Sequence, residues 1–199
     1  VVGAVGAIGQ QNLKRLLAYS SINNVGFLLI GLATGTEEGI AAMLVYLAIY
    51  VAMTVGSFAC LMALRRADGD AVETLADIAG LSKVRPAIAA AFAIFMCSLA
   101  GFPPLYGFWG KLMVFMAAVK ADMFTFAVLG IAASVIGAYY YLKVIKTMYF
   151  DEPSVELAPG DAPEAGAVAT LSALFVSPLG LLSIPLLTAL ANNAAKALF

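Results

Sequence analysis

Histidine is absent from this sequence, charge is scarce at 12% of residues, and only two cysteines occur. Each shortage excludes something. Without histidine, the commonest metal ligand and general base is gone. Cys60 and Cys97 both sit inside apolar runs with no CxxC, so they read as small packing residues, not as a disulfide framework or a metal site. A formal net charge of −1 leaves no basic surface to attract nucleic acid. A soluble domain carries about twice this charge and needs it to cover its surface. Soluble-enzyme signatures also fail. The Gly-Lys at 110–111 is no phosphate loop, because Leu105 and Leu112 stand where Gly and Ser or Thr are required. GAVGAIG at 3–9 is not a dinucleotide fingerprint, and small residues in an apolar run serve close helix packing. No paired carboxylates fall in an apolar stretch, so the chain makes and breaks no covalent bonds of its own.

What the sequence has in abundance is apolar length: 63% of its 199 residues are hydrophobic and the mean hydropathy is +0.97. A membrane span needs about 20 apolar residues. Residues 1–11 read as the last part of a span, 16–35 and 39–64 as two whole ones, and 123–146 and 167–190 as two more. The start, VVGAVGAIGQQNLKR, lacks an initiator Met and a positive region ahead of its apolar part, so it is not a signal peptide. The expectation is a piece of a longer membrane protein, entered midway through a helix. Arg65 and Arg66 open a polar interval, 65–85, in which Val72, Leu75, Ile78 and Leu81 recur every three residues behind Asp70 as N-cap. That spacing predicts a short amphipathic helix over about 70–82 at the membrane interface. DEPSVELAPGDAPEAG, at 151–166, reads as an acidic solvent loop, and 167–191 as a C-terminal transmembrane helix.

Threading these spans puts Lys14, Arg15, Arg65, Arg66, Lys83, Arg85, Lys143 and Lys146 on one side and only Lys120 and Lys196 on the other. The bias predicts a multi-pass inner-membrane protein with the first side cytoplasmic and the C-terminus outside.

Residues 86–119 are apolar for too long. Unbroken, they would form a helix of roughly 50 Å, well beyond one membrane thickness. Pro103 and Pro104 resolve this, because without N–H groups they leave the carbonyls of Leu99 and Ala100 partnerless. The helix is expected to break at 101–104, and in lipid such a break is tolerated only inside protein or beside a wet cavity. Broken helices of this kind mark ion and substrate sites in transporters. Lys111 lies about two turns beyond, the only charge between Arg85 and Lys120. Pro104, Gly107 and Lys111 share a face along which water could reach the amine, with Ser98 and Tyr106 as hydroxyl partners. An unpaired lysine at mid-depth costs roughly 2.5–3.5 kcal/mol. Desolvation disfavours its charged form, which equips it to exchange a proton. The competing reading is a lysine that snorkels to the outer interface, but that lies roughly 12 Å away and the stem covers about half of it.

Other polar groups carry smaller weight. Tyr19, Ser20, Ser21, Asn23 and Asn24 lie early in one span, and they serve either as interhelical glue or as a pathway. Tyr46, Tyr50, Thr54 and Ser57 share one face of the next, either a hydrated seam or plain packing. Lys143 and Lys146 read as interfacial anchors, with Lys143 deep enough to relay a proton.

LKRLLAYSSINNVGF, LADIAGLSK and SLAGFPPLYGFWGK together resemble the antiporter-like membrane subunits of respiratory complex I, the subunit N family above all. The resemblance covers nearly the whole chain. It implies an all-α, polytopic helix bundle forming the second half of an inverted-repeat antiporter-like fold, with residues 1–150 as a partial second repeat. It further implies that Lys111 is the broken-helix lysine of that repeat, a proton relay. Flavin, iron–sulfur clusters and quinone are implied on other subunits and no cofactor on this chain. Its partners would be other membrane-arm subunits, lipids, protons and internal water. Many members of that family have histidine where Asn24 stands; asparagine does not titrate, so a relay there would pass through water. Three functions remain open at this stage: a redox-driven proton pump subunit, a cation/proton antiporter or hydrogenase-linked subunit, and a structural bundle in which Lys111 is only a satisfied buried charge.

Overall fold

The structure is a computed structural model that describes residues 1–158 and 162–198. Its helices are α1 (Val2–Ile8), α2 (Leu13–Ala33), α3 (Glu37–Met62), α4 (Leu81–Val84), α5 (Pro86–Ala100), α6 (Tyr106–Lys120), α7 (Phe124–Phe150), α8 (Pro163–Val176) and α9 (Ile184–Lys196). Local chemistry sets their ends. Asn12 accepts the Arg15 N–H at 3.0 Å to cap α2, and Thr36 accepts the Gly39 N–H at 3.1 Å to cap α3. Glu37 and Glu38 occupy the first turn of α3, where the helix dipole favours negative charge. Pro86 opens α5, a position where its missing N–H costs nothing.

Helix α3 is the centre of the bundle, with α2, α5, α6, α8 and α9 packed around it, while α7 closes the other side against α1, α2, α5 and α6. Outward faces are apolar: Leu29, Val51, Val55, Val128, Ile131 and Val135 are all exposed. Such a belt suits hydrocarbon and not water. The helices α2, α3 and α7 are each long and apolar enough to cross a membrane, as is the stretch Pro178–Lys196. The chain is a multi-pass membrane protein of all-α architecture.

One end of the bundle is sewn together by the polar interval and the chain after α7. Isolated bridges join Asn12 to Thr74, Arg65 to Ala71 and Arg66 to Leu157. Ion pairs add Lys14 to Glu73, Lys83 to Glu152 and Lys146 to Asp151. At the opposite end Lys120 meets Glu38 at 2.6 Å. These exposed pairs contribute little energy each.

The helix expected over about 70–82 is not continuous. It is a 3₁₀ turn, Ala76–Ile78, followed by the four-residue α4. Val72, Leu75, Ile78 and Leu81 are nonetheless all buried, but against the end of the bundle. The reason lies in Asp77, not in Asp70. Its carboxylate accepts the backbone N–H groups of Glu73 at 3.0 Å and Thr74 at 2.7 Å, and faces Arg66 at 3.5 Å. A side chain that captures backbone donors in this way competes with the helix.

Burial alone would raise the Asp77 pKa, but those N–H groups, the Thr74 side chain and the Arg66 guanidinium together hold it below the usual carboxylate range. Its stabilisation is therefore complete above that range and is lost only as pH falls through the lowered value. Asp77→Asn is expected to loosen this end of the bundle. Limited proteolysis between residues 65 and 85, measured on solubilised protein at pH 7, is expected to quicken by about tenfold.

The stretch 167–191 is likewise not one straight helix. Pro178 and Pro185 remove backbone donors, so α8 and α9 are joined by a 3₁₀ segment, Pro178–Ser183. The Leu174 carbonyl, which Pro178 cannot reach, accepts the Ser177 hydroxyl at 2.7 Å instead. Part of the acidic loop 151–166 lies outside the described residues.

Candidate functional site

The break falls at Gly101–Leu105, as the two prolines require. Gly101 adopts φ +91°, and a Schellman-like turn forms as the N–H groups of Gly101 and Phe102 return to the Cys97 carbonyl. Pro103 and Pro104 are exposed on the outside of the turn and are joined by a cis peptide bond.

The orphaned Leu99 carbonyl is met by Lys111. The amine donates to it at 2.6 Å, approaches the Ser134 hydroxyl of α7 at 3.0 Å, and stands 5.0 Å from the centre of the Phe27 ring on α2. An ammonium has three N–H groups, and three electron-rich groups surround it here. Lys111 is 5% exposed, and its stem runs back to Gly101 instead of out towards Lys120. None of the ion pairs among the described residues includes it. Burying an ammonium without a counter-ion costs several kcal/mol unless its hydrogen bonds are met. An apolar groove of about 430 Å³, lined by Gly101, Phe108 and Ser134 and opening on the outward face at Ile131 and Val135, adjoins the amine.

Ser98 and Tyr106, expected as hydroxyl partners of the amine, bond other groups and with Gly107 shape the break. The Gly107 N–H donates to the Ser98 hydroxyl at 2.9 Å, so Ser98, at the end of one half-helix, caps the start of the other. A Cβ on Gly107 would lie 2.2 Å from the Ser98 carbonyl oxygen, which only glycine avoids. The Tyr106 hydroxyl pairs with Ser183 at 2.9 Å and ties α6 to the segment between α8 and α9.

Asn24 and Tyr46 belong to a second, neutral cluster. The Tyr46 hydroxyl donates to Asn24 Oδ1 at 2.6 Å, while Asn24 Nδ2 donates to the Ser20 carbonyl at 2.8 Å and the Tyr141 hydroxyl at 3.1 Å. Ser20 and Tyr141 also share a hydrogen bond. All four side chains are buried. Phe27 separates this cluster from Lys111, with its ring 6.3 Å from that of Tyr46. Tyr50 lies beside Tyr46 and, with Ser20, Ser21, Thr54, Ser57 and Leu99, lines a void of about 10 Å³. That is about the room one water centre needs. Lys143 is half-buried near the far end of α7, nine residues past Ser134 or roughly 13 Å along the helix, and is not brought to Lys111.

Sequence reasoning missed Ser134, Tyr141, Phe27 and Ser183. Ser134 and Tyr141 are seven residues apart on one face of α7, a spacing that could have been noticed, since Ser134 is the lone small hydroxyl between Phe126 and Tyr139. Nothing local singles out Phe27.

With this geometry in view, the chain compares with known proteins as follows. It is 59% identical, over its whole length, to NADH-quinone oxidoreductase subunit N of Rhizorhabdus wittichii, and spans 42% of that protein. Respiratory complex I from Thermus thermophilus with bound aureothin contains a chain that superposes with a TM-score of 0.83 at 36% identity, covering 96% of this chain and 43% of that one. A chain of the Mrp complex from Dietzia sp. superposes at 0.82 over 98% of this chain and 44% of that one, and at 23% identity it shares the fold alone. The chain thus spans about two fifths of the curated relatives it matches. The sequence family described as NADH:quinone oxidoreductase/Mrp antiporter, transmembrane, matches residues 1–137. This chain, with its broken helix and buried lysine, belongs to that family.

Proposed function

We propose that this chain is part of a proton-translocating membrane-arm subunit of an NADH:quinone oxidoreductase, and that Lys111 is its proton relay. One observation carries the reading: an amine buried in the broken helix, held by the Leu99 carbonyl and the Ser134 hydroxyl and paired with no carboxylate among the described residues. Neither partner carries the negative charge with which a carboxylate would lock in the ammonium. Protonation changes at Lys111 would answer redox chemistry on other subunits, where flavin, iron–sulfur clusters and quinone belong. Ser98, Tyr106, Gly107 and the two prolines shape the break, and the Asn24–Tyr46 cluster with Tyr50 offers a neutral, hydroxyl-rich route on the far side of Phe27. Lys143 is a further candidate relay towards the end of the bundle rich in Lys and Arg. The positive-inside rule makes that end cytoplasmic in a bacterial inner membrane and puts the C-terminus outside. Other membrane-arm subunits, lipids and internal water complete its surroundings.

A second reading, a cation/proton antiporter subunit, is favoured by the breadth of the family, whose description spans both kinds of machine. A native gel of mildly solubilised membranes, with this chain tagged and the gel stained for NADH dehydrogenase activity, separates the two. The tag is expected in a large band that oxidises NADH. Migration in a smaller, inactive assembly would hand the case to the antiporter reading, and cation/proton exchange in vesicles would then be measured.

A further inference from the structure

Around Lys111 the three partners of the amine are chemically unequal. The Leu99 carbonyl accepts hydrogen bonds and never donates, and the face of the Phe27 ring attracts cations. Both therefore favour the ammonium. Ser134 alone can do either, because a hydroxyl accepts through oxygen or donates through a hydrogen that rotates to suit its partner. When Lys111 is charged, Ser134 Oγ accepts from it. When the proton has left, the amine exposes a lone pair in a site that otherwise contains only acceptors. An unmet buried acceptor is costly, and in this cluster only Ser134 can turn a hydrogen towards it.

We propose that Ser134 is a positioning residue for proton release, the group that stabilises the neutral form of Lys111. The inference rests on the relay reading of Lys111. In the release step the Nζ–H bond breaks, the proton passes to an internal water molecule as hydronium, and the electron pair stays on nitrogen. Ser134 keeps its own hydrogen and redirects it to that pair, so it supplies no proton to the transported stream.

No charged group competes for this role. Helix α2 presents Phe27 to the amine, the end of α5 presents the Leu99 carbonyl, and α7 presents Ser134. Tyr46 of α3 packs on Gly110 beside Lys111, but its hydroxyl is engaged by Asn24. The charged residues of these helices lie towards their ends: Lys14 and Arg15, Glu37 and Glu38, Lys120, and Lys143 and Lys146. Ser134 also has room for change, because it lines the apolar groove next to the amine.

The test is NADH-driven proton uptake, expressed per electron, in everted membrane vesicles holding the assembled complex. Ser134→Ala is expected to slow proton release about tenfold at neutral pH, the effect of one unmet buried hydrogen bond. The deficit is expected to shrink as pH is raised, because alkalinity favours the neutral amine that the variant stabilises poorly. Ser134→Thr keeps the hydroxyl and is expected to translocate normally, while Ser134→Val, of the same shape, is expected to behave like the alanine variant. If alanine impairs assembly, the threonine and valine pair decides the matter. Equal translocation by threonine and valine variants, or an alanine deficit that is flat with pH, would overturn the inference. Lys111→Ala is run alongside. If it translocates normally, the relay reading itself falls; if it uncouples while Ser134→Val does not, only the role of Ser134 is lost.

Discussion

In a fully assembled complex carrying Lys111→Ala, NADH oxidation is expected to continue while proton translocation through this chain falls by about tenfold or more. The magnitude is that of losing a positioned acid–base group. Assembly is expected to survive for a physical reason. The substitution strands the Leu99 carbonyl at a cost of about 1–3 kcal/mol, yet it also removes the burden of burying an ammonium without a counter-ion. Lys111→Arg separates charge from proton exchange. The guanidinium stays charged at any physiological pH, and its planar fork does not reproduce the three-way cradle. It is therefore expected to translocate as poorly as alanine. Proton uptake per electron in vesicles measures both variants, and a wild-type ratio for Lys111→Ala would leave the lysine as a merely satisfied buried charge.

Gly107→Ala carries the second largest expected effect, and it acts through the backbone. Its Cβ would stand 2.2 Å from the Ser98 carbonyl oxygen and 2.8 Å from the Ser98 hydroxyl, neither of which is the loose end of a flexible chain. The two half-helices must move apart. Overpacking of this kind costs about 1–3 kcal/mol. The displacement would weaken the Ser98 cap on α6 and shift Leu99, the next residue along, whose carbonyl holds the amine. Both the thermal stability of NADH oxidation in membranes and the proton ratio are expected to drop, whereas the lysine variants move only the second. An alanine variant with normal stability and coupling would show that the close approach of α5 and α6 is dispensable.

The broken helix was legible because two adjacent prolines interrupt an apolar run too long for one span, and the lysine because a charge in such a run has no innocent surroundings. The family resemblance agreed with both. What meets the amine was not legible. Ser134 lies 23 residues away on another helix, and Phe27 comes from a third, so their meeting is a matter of packing and not of local pattern. Ser98 and Tyr106 were expected as hydroxyl partners of the amine, but they bond the Gly107 N–H and Ser183 instead. The period-three reading of 70–82 identified the buried residues while misjudging the backbone, because the competition from the Asp77 carboxylate leaves no mark on hydrophobic spacing. Along 167–191 the prolines at 178 and 185 were visible, and their cost was underweighted against apolar length.

The ion pairs among the described residues leave Lys111 out, so on the relay reading each proton that arrives at the break would add one uncompensated charge well inside the bundle. A charge placed there has crossed part of the membrane voltage, and a full crossing is worth about 2.3 kcal/mol per 100 mV. On that reading the proton occupancy of the amine would be set by voltage as well as by chemistry. An energised membrane would bias the same cradle of carbonyl, hydroxyl and ring differently from a discharged one.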